Sequence, residues 1–219
     1  MAGPISVVVE RGDVVEARHR VHAVAVRDGA VVASAGDAHL LTFLRSSAKP
    51  IQALPLVRAR PDLDDREIAI ACASHLGSPE QIEAVRSLLA RGPAREDELE
   101  TGPDPTPIVH NCSGKHASFL VLCRARGWDS AGYRLPGHPL QSELLAEVAA
   151  AAEVEAGSIP TAIDGCGVVT FALTLERAAH MFGRLPLLGG GARVIRAMRS
   201  RRELLRGPGG WRGRRRPRP

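Results

Sequence analysis

The stretch Arg45-Ser46-Ser47-Ala48-Lys49-Pro50 decides how the rest of the chain is interpreted. It contains one of only two lysines in a chain that has 27 arginines. The second lysine, Lys115, follows Cys112 by three positions, as Lys49 follows Ser46. Arginine stays protonated at any working pH, whereas a buried lysine can release its proton and act as a base. Both lysines are therefore candidates for chemistry instead of surface charge.

A serine and a lysine three positions apart lie on one face of a helix. If the helix begins at Ser46 or Ser47, the hydroxyl lies beside unpaired backbone N–H groups and the positive end of the helix dipole. The lysine would take the serine proton, and the N–H groups would stabilise an oxyanion. Serine β-lactamases and penicillin-binding proteins have the same spacing and acylate through the serine. The structural alternative is a helix N-cap followed by a solvated lysine.

The length of 219 residues allows one large domain or two small ones. No apolar run approaches the roughly 18 residues of a membrane-spanning helix. Residues 1–11 lack the charged head and apolar core of a secretory signal. The four cysteines are widely spaced, which indicates reduced thiols in a cytoplasmic protein.

The positive net charge belongs to one end of the chain. The chain carries +5 overall, but residues 193–219 carry +10, so the remainder carries −5. A basic isoelectric point therefore does not indicate nucleic-acid binding by the main body. A nucleic-acid arm formed by the arginine-rich end is a minor alternative, because Trp211 is its only aromatic residue.

Hydrophobic patterns predict two hairpins followed by mixed strands and helices. Residues 5–35 alternate apolar and polar, with turns at residues 11–13 and at Asp28-Gly29. Strands are expected at 40–44, 68–73 and 159–163, and helices at 49–59, from Ser78-Pro79 onward, at 117–126 and at 141–156. This order favours an α+β fold in which helices cover one face of a sheet.

Polar clusters stand where predicted strands end, which is where scaffolds present functional side chains. They are Ser46 with Lys49, Ser74 with His75, Cys112 with Lys115, and Asp164 with Cys166. Two thiols and a neutral amine suit zinc, although the residues by themselves favour Cys112 and Cys166 as small buried apolar side chains. The glycines on either side of Cys166 favour a site, because they let a ligand approach the backbone closely.

Five separated segments resemble the asparaginase II family of the Rhizobium etli type. They are residues 45–55 (RSSAKPIQALP), 73–75 (ASH), 110–117 (HNCSGKHA), 137–141 (GHPLQ) and 164–172 (DGCGVVTFA), in the order of the family. The resemblance covers about residues 5–206. It implies a serine-β-lactamase-like fold, hydrolysis of L-asparagine to aspartate and ammonia, and a homodimer.

The resemblance also implies a role for individual residues. Ser46 and Lys49 resemble one Ser-Lys pair with Ser46 as nucleophile, and Ser74 resembles the serine of a second pair. Cys112, Lys115 and Cys166 resemble the ligands of a zinc ion that helps to position the substrate. The implied substrate contacts are Arg45, His75, Asn111 and Asp164, of which Asp164 orients the lysine or the substrate.

The chain departs from the family pattern at its C-terminal end. Family members continue further and carry there the lysine that partners the second serine, for which this chain has no candidate. We therefore expect an asparaginase-like domain over residues 1–192, incomplete at its C-terminus, and a disordered Arg/Gly/Pro-rich tail over 193–219. The alternatives are a β-lactamase-like acylase and a non-catalytic zinc-binding or regulatory remnant. The acylase would need a later Lys-Thr-Gly strand, for which no lysine is present.

Overall fold

A computed structural model describes residues 2–102 and 106–206. Within this part, strands form three small antiparallel sheets, and helices pack around one hydrophobic core. The strands are β1 (Ile5–Arg11), β2 (Val14–Val21), β3 (Ala23–Arg27), β4 (Ala30–Ala35), β5 (Leu41–Phe43), β6 (Thr161–Ile163) and β7 (Val169–Thr174). The predicted α+β class is confirmed, and the serine-β-lactamase-like topology stays a prediction.

The first two sheets are the predicted hairpins, β1 with β2 and β3 with β4. Asp28 and Gly29 have φ angles of 51° and 78° in the turn between β3 and β4. A two-residue turn with two positive φ angles matches the right-handed twist of the flanking strands. Glycine and aspartate adopt this conformation at low cost, which explains why this short signal is reliable.

The third sheet brings two distant parts of the chain together. Its strand order is β5-β7-β6, so the central strand β7 pairs with residues about 130 positions earlier on one edge and with its own hairpin partner on the other. Phe43 pairs with Ala172, and Ile163 pairs with Val169. As a result, the chain leaves β5 for Ser46 close to where the turn between β6 and β7 presents Asp164 and Cys166.

The helices cover these strands and supply most of the core. They are α1 (Lys49–Gln52), α2 (Leu54–Ala59), α3 (Asp65–Ala71), α4 (Pro79–Arg91), α5 (Ser113–Arg126), α6 (Pro139–Ala152), α7 (Leu175–Arg184), α8 (Gly191–Ser200) and α9 (Arg202–Leu205). Helix α5 is the centre of the packing, because all of its residues from Ser113 to Cys123 are buried. No described helix is long and apolar enough to cross a membrane.

Short sequence signals at the helix ends explain why the start of α4 and the end of α5 were predicted correctly. Ser78 and Gln81 form the predicted capping box at the start of α4, with each side chain accepting the other residue's backbone N–H. Gly127 ends α5 in the left-handed conformation, with φ of 70°. Both devices act within a few residues, so they can be read from sequence.

The predicted strand at residues 68–73 is wrong, because most of this segment is the end of helix α3. Asp64 and Glu67 form a capping box that starts the helix four residues before the apolar run. The run Ile68–Ala71 is buried on every side, so it has no polar face. A short and wholly apolar segment has the same sequence pattern whether it forms a buried strand or a buried helix.

The predicted boundary after residue 192 falls inside α8 and is also corrected. Val194, Ala197 and Leu204 are buried in the core, and α8 packs against α3. The arginine-rich segment contains an amphipathic helix, α8, which its composition did not predict. Arginines of this helix bind the rest of the chain, as Arg193 does by donating to the carbonyls of Val57 and Leu63. Residues 207–219 of the predicted tail lie outside the described residues.

Candidate functional site

The chain turns sharply where β5 ends and presents Ser46. The N–H of Leu44 donates to the carbonyl of Phe171 at 2.9 Å, the last backbone bond between β5 and β7. Arg45 then adopts a left-handed φ of 48°, and residues 45–48 form a 3-10 turn before α1 begins at Lys49. We expected a helix from Ser46 or Ser47. The tighter turn leaves Ser46 exposed to solvent.

The amine of Lys49 is directed toward Ser74. Its Nζ donates to Ser74 Oγ at 2.9 Å, to the carbonyl of Ala73, and to the carbonyl of Asn111 at 3.5 Å. Within the described chain no hydrogen bond joins it to Ser46, so the predicted pairing of Lys49 with Ser46 is replaced by a pairing with Ser74. Burying an amine requires nearby acceptors, and the carbonyl after α3 supplies one.

Burial also changes the proton affinity of Lys49. Only 1% of the residue is exposed, and this burial lowers the pKa of its amine below the usual range. The nearby Lys115 lowers it further, while Cys112 acts in the opposite direction. A larger fraction of this amine is therefore unprotonated near neutral pH than for a lysine in water, so it is available to accept a proton.

A polar pocket of about 240 Å³ opens beside Ser46. Its walls come from the turn after β5, from the segment before α5, and from the turn between β6 and β7. The lining residues are Arg45, Ser46, His110, Asn111, Cys112, Asp164, Gly165 and Cys166. Of the ten predicted site residues, this pocket combines six, which come from three separate segments.

An ion pair carries opposite charges on one wall of this pocket. The Arg45 guanidinium lies 2.8 Å from Asp164 Oδ1. The side chain of Asp164 is 10% exposed and that of Arg45 is 67% exposed. The N–H of Gly165 donates to Asp164 Oδ1 at 2.8 Å, which holds the carboxylate in place. The wall thus offers a cation and an anion to a small zwitterionic ligand.

The two cysteines that line the pocket meet the second lysine, Lys115. The interaction of the Cys112 thiol with the Cys166 sulfur lowers the pKa of Cys166 and raises that of Cys112. Lys115 Nζ lies 3.0 Å from Cys166 Sγ and stabilises the thiolate further. All three residues are at most 4% exposed. The predicted metal-ligand set is therefore brought together.

The donor types in this cluster fit zinc, which accepts thiolate sulfur and neutral nitrogen. Among residues 2–102 and 106–206, no group of three or more His, Cys, Asp and Glu side chains is arranged to hold a metal ion. A zinc ion at Cys112 and Cys166 would thus depend on the Lys115 amine as its third protein ligand.

His75 lies behind the pocket, so it does not contact a ligand there. It is fully buried, and its Nδ1 accepts the N–H of Gly77 at 3.1 Å. The other ring nitrogen therefore carries the hydrogen and donates to Ser113 Oγ at 2.8 Å. Because both nitrogens bind within the protein, the predicted substrate contact is replaced by a supporting role for the loop that follows Ser74.

Asn111 contributes its backbone as well as its side chain. Its carbonyl accepts the N–H of His75 at 3.2 Å and also faces Lys49, so it connects the loop after α3 with the segment before α5. The residue itself is exposed at the pocket. Its predicted contact with substrate stays a prediction.

Sequence reasoning did not identify Tyr133 and Thr170. The Tyr133 hydroxyl accepts the N–H of Glu100 at 2.9 Å and lies 2.6 Å from Nδ1 of His116, the neighbour of Lys115. Thr170 Oγ1 accepts the N–H of Arg45 at 3.2 Å. The only sequence signal for Tyr133 is that it is the single tyrosine, and the signal for Thr170 is its position within the segment 164–172.

Fold and pocket together define a class of protein. It is an α+β chain in which one pocket holds an exposed serine hydroxyl, an ion pair and two thiols, next to a buried lysine paired with the half-buried Ser74. These are groups that hydrolases with a serine nucleophile use. A family model described as L-asparaginase II matches residues 7–212, so the chain belongs to the L-asparaginase II family. No curated protein matches the chain.

Proposed function

We propose that the protein hydrolyses L-asparagine to L-aspartate and ammonia in the pocket beside Ser46. Membership of the L-asparaginase II family supports this reaction. The observation that carries the assignment to this pocket is the ion pair of Arg45 with Asp164 beside an exposed serine hydroxyl. A pocket of about 240 Å³ suits a small amino acid.

The ion pair matches the charges of the substrate. The Arg45 guanidinium presents parallel N–H donors to the α-carboxylate, and the Asp164 carboxylate accepts hydrogen bonds from the α-ammonium group. Substrate binding then exchanges one ion pair inside the protein for two with the ligand. This exchange leaves no charge unpaired in the pocket, and it directs the side-chain amide away from the ion pair.

In the proposed reaction, Ser46 Oγ attacks the amide carbon, and its proton passes to the base formed by Ser74 and Lys49. The tetrahedral intermediate then breaks its C–N bond, the same base returns the proton to nitrogen, and ammonia leaves an aspartyl ester on Ser46. Water hydrolyses the ester by the same route and releases aspartate. Ser74 as nucleophile is the second candidate, and its hydrogen bond to Lys49 favours it.

A zinc ion held by Cys112, Lys115 and Cys166 is part of the proposal. When bound, it would supply a positive charge at the pocket floor that helps to position the substrate. Binding should strengthen as the pH rises, because zinc binds the thiolate and the pKa of the Cys112 thiol is raised. Metal analysis of the purified protein from mildly acid to alkaline pH tests this, and the absence of zinc throughout would contradict it.

Alanine substitutions at the serines distinguish the two nucleophile assignments. Ser46→Ala should abolish ammonia release from L-asparagine, whereas Ser74→Ala should lower it by about 10²–10⁴-fold, the usual contribution of a positioned base. Ser158→Ala is the matched control, because Ser158 is exposed and its Oγ donates to the carbonyl of Glu155, away from the pocket. Near-normal activity of Ser46→Ala together with loss of activity in Ser74→Ala would move the nucleophile to Ser74.

Two outcomes with the unmodified chain bear on the function itself. Zinc binding without ammonia release would favour a non-catalytic zinc-binding or regulatory protein of the same fold. The homodimer that the family resemblance implies is a separate proposal, and sedimentation of the purified protein tests it.

A further inference from the structure

We propose that Thr170 is a positioning residue that sets the orientation of Ser46 by holding the backbone of Arg45. The proposal rests on the assignment of Ser46 as nucleophile. Thr170 does not line the pocket, and its residue is only 7% exposed at the centre of the third sheet. It acts on Ser46 through the residue that precedes it.

The backbone pairing explains why a side chain is needed at this point. Along β5 and β7 the partners run from Leu41 with Thr174 to Phe43 with Ala172, and the N–H of Leu44 adds one further bond to Phe171. The next residue, Arg45, turns out of the sheet and cannot continue this pattern. Its N–H is taken instead by the hydroxyl of Thr170 at 3.2 Å.

The conformation of Arg45 makes this bond important. A residue other than glycine is strained at its φ of 48°, so such a conformation persists only where surrounding contacts hold it. The contacts that hold it include the Thr170 hydroxyl on the N–H, the ion pair of the guanidinium with Asp164 at 2.8 Å, and the bond from the Ser47 N–H to the Leu44 carbonyl at 3.0 Å, which closes the turn across Arg45. Relaxation of Arg45 to a negative φ would rotate the next peptide and move the Ser46 hydroxyl away from its position in the pocket.

Thr170 is itself held firmly. On its other edge β7 pairs with β6, where Thr170 pairs with Ala162, and Val169–Leu173 are buried in the core. The sheet therefore fixes the position of the Thr170 hydroxyl. The bond from Arg45 to this hydroxyl then fixes the turn that carries Ser46 relative to the sheet. Valine has nearly the same shape as threonine but accepts no hydrogen bond, so it removes only this contact.

The experiment measures the rate at which a neutral fluorophosphonate probe labels Ser46, located by peptide mass spectrometry. Thr170→Val and Thr170→Ala should slow labelling by about tenfold or more, because displacement of a reacting group by about 1 Å costs up to 10²-fold. Thr170→Ser should label within about twofold of the unmodified protein, because it keeps the hydroxyl. The kcat for L-asparagine should change in parallel, with KM within about twofold.

Thr174→Val is the matched control on the same strand. Thr174 also accepts a backbone N–H through its hydroxyl, that of Arg177 at 3.4 Å, but this bond caps α7 instead of holding the Ser46 turn. The control should lower the melting temperature without slowing the labelling of Ser46. A general loss of stability would affect both threonine variants alike.

The outcomes separate this inference from the proposed function. Slow labelling in Thr170→Val with rescue in Thr170→Ser supports the inference even if the protein releases no ammonia from L-asparagine. Labelling of Thr170→Val at the normal rate overturns it, as does equally slow labelling of Thr170→Ser and Thr170→Val. Failure of the unmodified protein to label at Ser46 also overturns it.

Discussion

Protonation of His75 should make the fold measurably less stable in mild acid. Burial lowers the pKa of this histidine from 6.5 to about 4, and the positive charges of Lys49 and His110 act in the same direction. As the pH falls below 6.5, His75 becomes protonated in the unfolded chain, whereas in the folded chain it stays neutral until the pH reaches about 4. Stability due to neutral His75 is therefore present above pH 6.5 and is lost as the pH falls through this window.

The size of the effect follows from these two pKa values. Integration of the proton uptake between pH 7.5 and pH 5 gives a loss of about 2 kcal/mol in the free energy of unfolding. For a domain of this size, that corresponds to a fall of roughly 4–8 °C in melting temperature. The pKa of His116 is lowered to about 4 as well, so the unmodified protein should lose more than His75 alone explains.

Comparison with His75→Gln isolates the contribution of His75. The glutamine amide is neutral at both pH values and retains an N–H donor for Ser113, while the acceptor for Gly77 is lost at a pH-independent cost of about 1 kcal/mol. Urea unfolding followed by circular dichroism at pH 7.5 and pH 5 should show a decline that is smaller by about 2 kcal/mol in the variant. His19→Gln, at an exposed site on β2, is the control. An equal decline in His75→Gln and the unmodified protein would refute the argument.

Two further predictions concern packing. Gly114→Ala should destabilise the protein by several kcal/mol, because a Cβ there would lie 2.1 Å from the carbonyl oxygen of Ile70; Gly137→Ala, with nothing within 4 Å of its Cβ, should be nearly neutral in the same thermal unfolding measurement. Leu204→Ala should cost about 2–5 kcal/mol, because this side chain of α9 is buried in the core, whereas Leu187→Ala, at a residue 83% exposed, should cost little. Equal melting temperatures for the members of either pair would count against that packing argument.

The sequence by itself determined the elements whose causes are local. The turn at Asp28-Gly29, the capping box of Ser78 and Gln81, and the left-handed Gly127 each depend on contacts within about four residues. Family membership was also readable from the sequence, because several short segments recur in order along most of the chain.

The tertiary structure alone decided which groups meet. A buried amine takes the acceptors that packing brings to it, so Lys49 binds Ser74, 25 positions away, instead of its neighbour on the turn. The apolar run Ile68–Ala71 has no polar face to reveal its period, because the surrounding elements bury all of its sides. An arginine-rich segment joined the core through one apolar face. Thr170 reaches Arg45 across 125 positions only because β7 pairs with β5. Such partners depend on the free energy of the whole packed arrangement, which no window of a few residues contains.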